Sequence, residues 1–188
     1  MNQIQKSKIA FIQASWHSEI VEQSYLGFEF ALSNGESVIG DSAKDQIDRF
    51  HVPGSLEIPL QAKLLAKTGK YAIIVAAGLI VDGGIYRHDF VAKTVLDAMM
   101  KVQLASEIPI LSLVLTPNQF QETEDHIAFF SQHFYKKGAE AAQACIETLL
   151  NLQDLRGWVI LITGGDVALI RWMKTPNLAT GLGIGKFS

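Results

Sequence analysis

The chain has 188 residues, of which 48% are hydrophobic and 19% are charged, and this composition is typical of one globular domain with a full core. The formal net charge is −3 and no basic cluster extends beyond Lys136 and Lys137, so nucleic acid is not an expected partner. The only cysteine, Cys145, excludes a disulfide framework and a multi-cysteine metal site, and it favours a reducing compartment such as the cytoplasm.

The first third of the chain predicts a strand, a helix and a second strand. Residues 1–8 are polar and lack the apolar core of a signal peptide. The apolar run over residues 9–14 predicts a buried strand, and the apolar spacing that follows predicts a helix capped by Ser18. Residues 33–44 have the polar, glycine-bearing composition of a loop. Residues 46–52 then alternate as a second strand.

The middle of the chain continues the alternation of strands and helices. Ser55 is a candidate helix cap, and Pro59 suits the first turn of the helix that follows it. The apolar run over residues 71–81 predicts a central strand that is covered on both faces. Residues 91–104 have helical spacing, and residues 109–115 predict a fourth strand.

The last third of the chain departs from this pattern. Residues 120–134 mix acidic side chains with histidines and phenylalanines, and residues 138–150 predict a final helix. Residues 158–162 predict one more strand, but the apolar stretch around them is interrupted by glycines and is too short to span a membrane. We therefore predict a domain over residues 1–150 and a C-terminal extension of unknown role over residues 151–188.

Four strands that alternate with helices predict an α/β fold, a three-layer α/β/α sandwich around a parallel sheet with right-handed crossovers. Ligands of such sheets bind beyond the carboxyl ends of the strands. The segments that follow the predicted strands contain side chains suited to ligand binding and proton transfer. These side chains are Trp16, His17, Glu57, Arg87 and His88.

The loop over residues 83–90 joins the central strand to the next helix. Its two glycines let the backbone approach a ligand closely, and the helix amino terminus behind it favours an anion. The chain places Arg87, His88 and Asp89 at this position. Considered alone, the loop is either an active-site loop or an ordinary turn with a solvated basic tip.

Five stretches occur in one order along the chain and together carry a family resemblance. They are residues 52–63, 69–72, 83–91, 114–116 and 137–142. From about residue 9 to residue 150, the chain resembles the lumazine synthase family, which implies a flavodoxin-like fold with a four-stranded parallel sheet. Residues 82–90, with Trp16 and residues 114–117, are similar to the type II, Brucella-like subgroup of that family.

The resemblance implies an enzyme, a transferase of riboflavin biosynthesis. The implied reaction condenses 5-amino-6-(D-ribitylamino)uracil with 3,4-dihydroxy-2-butanone 4-phosphate, releases phosphate and water, and is the penultimate step of the pathway. Its substrates are small molecules, and it needs no cofactor and no metal. The resemblance also implies self-association as a pentamer or decamer with active sites at subunit interfaces, without nucleic acid or membrane partners. Catalysis would come from holding two substrates in register and from proton shuttling.

The resemblance also implies contacts for individual residues. Trp16 stands where the family has an aromatic residue that stacks on the pyrimidine ring. The further ring and ribityl contacts expected at this edge are His17, Ser55, Leu56, Glu57, Leu79, Ile80, Val81 and Ser112. The expected phosphate contacts are Gly84, Ile85, His126 and Lys137. The alternatives are a half-buried core role for Trp16, a helix first-turn charge at Glu57 and a surface position for His126.

Two departures from the family pattern affect the catalytic positions. Arg87 stands where the family has its usual catalytic histidine, and a guanidinium is a poor general base, although it can bind phosphate or polarise a carbonyl. His88 follows it and can shuttle protons if the loop turns its ring inward. His126 stands where the family has a phosphate-binding arginine, which predicts weaker substrate affinity near neutral pH because a neutral imidazole binds phosphate weakly.

These departures leave other functions open. The alternative to the synthase is a weakly active or inactive scaffold of the same fold that binds flavin or lumazine, since the ring-binding segments remain while catalytic positions change. A less favoured alternative is a generic flavodoxin-like binding module. That hypothesis would make the agreement over residues 52–63 a coincidence.

Overall fold

The computed structural model describes residues 8–34, 45–82, 87–156, 158–163 and 166–171. Its strands are β1 (Lys8–Ala14), β2 (Ile47–Val52), β3 (Tyr71–Leu79), β4 (Ile110–Leu115), β5 (Trp158–Thr163) and β6 (Asp166–Arg171). Its helices are α1 (Ser18–Asn34), a 3-10 turn (Ser55–Glu57), α2 (Ile58–Lys67), α3 (His88–Ser106) and α4 (Glu124–Arg156).

Strands β1 to β4 form one parallel sheet in the order β2-β1-β3-β4. All nine residues of β3 are buried, as expected for a central strand with a helical layer on each face. Residues of α1 and α4 pack on one face of the sheet, and residues of α2 and α3 pack on the other. The predicted three-layer α/β/α sandwich is therefore confirmed, and the carboxyl ends of the four strands meet at one edge.

Alternate residues of each inner strand enter the two opposite cores. Phe11 of β1 is fully buried on the side of α1, where its ring centroid lies 5.4 Å from that of Phe28. The next residue, Ile12, is fully buried on the other side with Ile58. Cys145 of α4 belongs to the first core, and burial raises the pKa of its thiol to about 12.

Helices α1 and α4 approach each other so closely that their backbones touch. A Cβ atom added to Gly27 would overlap the carbonyl group of Tyr135. A Cβ atom added to Gly138 would overlap the carbonyl group of Ser24 and lie 2.9 Å from the backbone nitrogen of Phe28. Each helix thus contributes one glycine to the contact, because no larger residue fits between the two backbones.

The helix predicted over residues 138–150 is only part of a longer one, which begins at Glu124 and ends at Arg156. The prediction was wrong about its start because Gly138 resembles a helix boundary, whereas here the glycine allows the contact with α1. Phe134 is fully buried, so the mixed segment before Gly138 also has an inward face. The domain boundary at residue 150 falls inside α4 and stays a prediction.

The additional strand predicted over residues 158–162 is present, but it does not join the main sheet. It forms β5, which pairs with β6 in an antiparallel two-stranded sheet. Strand β6 was not predicted, although the sequence Gly164-Gly165 between two apolar runs is a hairpin signal. Most of the loop predicted over residues 33–44 lies outside the described residues.

No helix in the described ranges is both long enough and apolar enough to cross a bilayer.

We expect Gly27→Ala and Gly138→Ala each to lower the free energy of unfolding by about 1–3 kcal/mol, because a methyl group would force the two backbones apart. Helix propensity alone predicts the opposite sign, since alanine stabilises a helix interior by about 1 kcal/mol relative to glycine. Urea unfolding at a fixed protein concentration measures the change.

Ala128→Gly is the matched control, since Ala128 is exposed on α4 and away from this contact. It should cost about 1 kcal/mol through helix propensity alone. If Gly27→Ala or Gly138→Ala unfolded at a higher urea concentration than the parent, that result would contradict the close backbone contact.

Candidate active site at the carboxyl edge of the sheet

The segment after β1 is anchored to the end of β2. The Ser15 N–H and Oγ both donate to the Val52 carbonyl, at 2.9 and 3.0 Å. His17 has a positive φ of 51°, and its carbonyl accepts the N–H groups of Ile20 and Val21. His17 therefore precedes the first turn of α1, and Ser18 is its first residue rather than the predicted cap.

Trp16 lies on the outside of this corner and is 69% exposed. Its ring lies over Gly54, where an added Cβ atom would be 3.8 Å from Trp16 Cε2. Trp16 is therefore not a core residue, because most of the indole surface faces solvent. An exposed indole beside a bare backbone can stack on a planar ring.

The turn after β2 holds a carboxylate in a fixed position. Glu57 Oε2 accepts the N–H of Gly54 at 2.8 Å, and the side chain is otherwise exposed. Gly54 therefore precedes the 3-10 turn, and Ser55, the predicted cap, lies within it. Ser55 is buried against Gly78 of β3, where an added Cβ atom would be 2.5 Å from the Ser55 hydroxyl. The glycine in β3 brings this turn against the central strand, and the free carboxylate oxygen can accept hydroxyl groups.

An aromatic cluster joins the end of β1 to the start of α4. The ring centroids of His17 and Phe120 are 5.2 Å apart, and those of Phe120 and His126 are 6.3 Å apart. Phe130 also contacts Phe120 and His126, with centroids 5.4 and 6.1 Å away. Two of the predicted site histidines therefore contact one phenylalanine that sequence analysis did not single out. Its position directly after the turn that follows β4 was the available signal.

His126 is fixed by a hydrogen bond to its ring. Its Nδ1 accepts the N–H of Gln121 at 3.2 Å. An accepting Nδ1 carries no proton, so this bond assigns the neutral tautomer with its hydrogen on Nε2. Protonation of Nδ1 would remove the bond, and the Nε2 N–H is the donor that stays available to an anion.

Arg87 and His88 occupy different environments although they are neighbours. The His88 side chain is only 14% exposed, and its Nδ1 lies 2.7 Å from Asp82 Oδ1. The Arg87 side chain is 70% exposed and bonds to Asp89 Oδ2 at 2.8 Å, with its guanidinium 4.8 Å from the Phe90 ring centre. The loop thus turns the imidazole toward the end of β3 and the guanidinium toward solvent.

Asp82 connects the exit of β3 to the start of α3. Its carboxylate accepts the backbone N–H of His88 at 3.0 Å, and this bond and the contact with the imidazole hold the pKa of Asp82 below its usual value. Sequence analysis did not identify Asp82 as a site residue. Its position directly before the two glycines of the loop was the available signal.

The remaining predicted contacts are divided between the edge and more distant positions. Leu79 and Ile80 are buried at the strand end, and the Ile80 N–H donates to the Leu115 carbonyl at 2.9 Å. Val81 is partly buried against the core. Ser112 is exposed in the middle of β4, opposite Ala76, where its Oγ accepts the N–H of Val114. Of these, the structure brings only Leu79, Ile80 and Val81 to the carboxyl edge.

Lys137 lies on α4 and is already paired. Its Nζ contacts Glu140 Oε2 at 2.6 Å, and this bond lowers the pKa of Glu140. Gly84 and Ile85, the two predicted backbone contacts for phosphate, lie outside the described residues.

Two further observations bear on what this edge can hold. Within the described residues, no group of three or more His, Cys, Asp or Glu side chains is placed to hold a metal ion. A cavity of about 430 Å³ lies elsewhere, beside the amino end of β4 and the carboxyl end of α3. Its walls include Leu104, Pro109 and Leu152, so it is separate from the predicted site.

Comparison with known proteins identifies the family. The sequence profile described as 6,7-dimethyl-8-ribityllumazine synthase matches residues 6–153. The chain belongs to this family.

Individual relatives agree with the family assignment. A 6,7-dimethyl-8-ribityllumazine synthase of Rhodococcus erythropolis is 54% identical over 155 residues, which cover 82% of this chain and 97% of the relative. A 6,7-dimethyl-8-ribityllumazine synthase 2 of Bradyrhizobium diazoefficiens is 53% identical over 152 residues, covering 81% and 88%. A more distant synthase, of Deinococcus radiodurans, is 31% identical over 148 residues, covering 79% and 90%. The matched part of this lumazine synthase family member includes all the predicted site residues.

We expect Lys137→Met to raise the pKa of Glu140 toward its ordinary value, because the bond to Lys137 is the main cause of its depression. Because the pKa is lowered, the stability that the ion pair contributes is fully present above the ordinary pKa of the carboxyl group. It is lost as pH falls through the lowered pKa. Carboxyl-carbon NMR follows the titration of Glu140 directly.

Lys136→Met is the matched control, since its Nζ lies 3.9 Å from Glu140 and interacts more weakly. It should move the titration of Glu140 less than Lys137→Met does. Equal shifts in the two variants would show that the pairing of Lys137 is not specific.

Proposed function

We propose that this chain is a 6,7-dimethyl-8-ribityllumazine synthase, an enzyme of riboflavin biosynthesis. It condenses 5-amino-6-(D-ribitylamino)uracil with 3,4-dihydroxy-2-butanone 4-phosphate and releases phosphate and water. The observation that carries this proposal is the exposed indole of Trp16 over Gly54, beside the fixed carboxylate of Glu57, in a chain of this family. An aromatic plane next to a hydrogen-bond acceptor suits a planar ring that bears a polyol chain.

The uracil substrate occupies the edge between β1, β2 and β3 in this proposal. Its ring stacks on Trp16, with His17 at the side. The ribityl hydroxyls donate to Glu57 near Ser55 and Leu56. The backbone at the end of β3, from Leu79 to Val81, contacts the ring edge. We propose that Ser112 contacts the ring together with residues of a neighbouring subunit, because this side chain is exposed on β4.

The phosphate of the second substrate lies on the side of the glycine loop. Gly84 and Ile85 supply backbone N–H groups in this proposal, and His126 and Lys137 supply side-chain donors. His126 presents its Nε2 hydrogen, because Nδ1 is used by Gln121. Lys137 must exchange its bond with Glu140 for one to phosphate. The free energy lost on breaking the ion pair is small, because the pair is partly exposed.

His88 is the proton shuttle in this proposal, and Arg87 is the electrostatic partner. The imidazole is turned inward and can take and return a proton, whereas a guanidinium stays protonated throughout. Arg87 binds phosphate or polarises the substrate carbonyl. Holding the two substrates in register supplies the rest of the rate acceleration.

The relatives favour a working enzyme over a flavin- or lumazine-binding scaffold, because those above 50% identity are named as synthases. The single buried cysteine, Cys145, is in keeping with the cytoplasm as the proposed location.

Incubation of the protein with both substrates should produce lumazine fluorescence. We expect His88→Ala to lower kcat by about 100- to 10,000-fold, as general acid–base catalysis requires. Arg87→Ala should chiefly raise KM for the phosphate-bearing substrate. Steady-state kinetics with each substrate varied in turn separates the two effects.

Three outcomes would contradict these assignments. Tight riboflavin binding without any product favours the scaffold instead of the enzyme. Turnover that is abolished by Arg87→Ala and retained in His88→Ala reverses the roles of the two residues. Full activity in both variants would show that neither Arg87 nor His88 takes part in the reaction.

We propose that the chain self-associates as a pentamer, or as the decamer associated with the type II subgroup, through α2 and α3. Both helices expose apolar side chains four residues apart, which lie on one helical face. On and before α2 they are Leu56, Leu60 and Leu64, and on α3 they are Leu96, Met100 and Leu104. Exposed apolar side chains that share one helical face are a feature of interfaces between protein chains.

Light scattering should give a mass about five or ten times the chain mass of 20.7 kDa. Leu60→Asp should lower the mass, because a carboxylate cannot be buried unpaired at an interface. Gln132→Asp introduces the same charge at an exposed position of α4 and should leave the mass unchanged. A monomeric parent protein would overturn this assembly.

A further inference from the structure

One carboxylate oxygen makes two contacts with the same residue at the candidate site. Asp82 Oδ1 accepts the backbone N–H of His88 at 3.0 Å and lies 2.7 Å from His88 Nδ1. The first contact satisfies an amide group at the start of α3, as a helix-capping side chain does. The second contact is not needed for capping and involves the imidazole itself.

The short distance fixes the position of the ring proton. A carboxylate oxygen offers only lone pairs, so a nitrogen 2.7 Å away must carry the hydrogen, because two lone pairs would repel at that distance. The N–H is not aligned with the oxygen, so the contact is electrostatic rather than a well-formed hydrogen bond. Asp89 Oδ1, 3.4 Å from the same nitrogen, adds negative charge on that side.

A proton on Nδ1 leaves the lone pair on Nε2. In neutral imidazole one nitrogen donates and the other accepts, so the partner of Nδ1 decides which atom can take a further proton. The His88 side chain is 14% exposed, whereas the Asp82 side chain is 63% exposed. The ring is therefore held on the protein side of a carboxylate that remains in contact with water.

We propose that Asp82 is a positioning residue that keeps His88 protonated on Nδ1, with Nε2 as the proton-accepting atom during the condensation. This inference rests on the proposed function, in which His88 is the proton shuttle. Nε2 takes one proton from the amine as its nitrogen adds to the carbonyl group, and the imidazolium then faces the Asp82 and Asp89 carboxylates with its Nδ1 side. This proton passes to the new alkoxide, which becomes a hydroxyl group. Nε2 then takes the second amine proton and gives it to the hydroxyl, which leaves as water while the C=N bond forms, so the histidine ends in its starting form.

The informative variant is Asp82→Ser. A serine hydroxyl can still accept the backbone N–H of His88, so the start of α3 keeps its cap while the ring loses its carboxylate. Asp97→Ser on α3 is the matched control, because Asp97 is exposed and pairs with Lys93 rather than with a histidine. Circular dichroism establishes that both variants fold.

The first measurement is nitrogen-15 NMR of the histidine rings in the free protein. We expect His88 of the parent and of Asp97→Ser to show the Nδ1-protonated tautomer. In Asp82→Ser the signal should move to a mixture of the two tautomers. An unchanged tautomer in Asp82→Ser would overturn the proposal.

The second measurement is steady-state kinetics. Asp82→Ser should lower kcat by about 10- to 100-fold, as loss of a group that orients a functional histidine does, with KM for both substrates changed by less than about two-fold. Combining Asp82→Ser with His88→Ala should cost no more than His88→Ala alone, because Asp82 acts through the ring. Losses that multiply in the double variant would overturn the positioning role.

The two measurements separate this inference from the function on which it rests. A parent protein that makes no lumazine overturns the proposed function, and the NMR result still decides whether Asp82 sets the tautomer of His88. A tautomer controlled by Asp82 in an enzyme that His88→Ala leaves fully active would overturn the catalytic part of the inference.

Discussion

Parallel pairing of four strands around the buried β3 is the constraint on which the rest of the structure depends. Because β3 is covered on both faces, its two neighbours and the helical layers have fixed positions relative to it. All four carboxyl ends then meet at one edge, and segments far apart in sequence become neighbours there. The corner at Trp16, the turn at Glu57 and the exit at Asp82 are near one another for this reason.

Three side chains proposed to bind phosphate each have a partner within the described part of the chain. Arg87 is bonded to Asp89, Lys137 to Glu140, and the ring of His126 to the backbone of Gln121. An incoming phosphate therefore competes with existing contacts rather than meeting free cations. Since the Arg87 pair is largely exposed and the Lys137 pair is partly exposed, each is weak, and a dianion held by several donors can replace it.

The sequence was sufficient to predict the sheet and the edge where the site lies, because apolar strand runs alternate with helical spacing. It was not sufficient for α4, since Gly138 resembles a helix boundary unless its contact with α1 is known. The direction of the His88 side chain could not be predicted from the sequence either. A shift of one position near a helix start changes the direction of a side chain by about 100°. Asp82 was missed because its contact joins residues six positions apart in sequence, and residue types alone do not determine whether such residues meet.

The glycine contact between α1 and α4 has a consequence for how the site tolerates change in the core. The two helices meet through backbone atoms at Gly27 and Gly138, so their separation is a contact distance that neighbouring side chains do not set. His17 precedes α1 and His126 lies in the first turn of α4, so the spacing of these two rings is inherited from that contact. Substitution of a core side chain should therefore change the spacing of these two rings less than substitution of either glycine does.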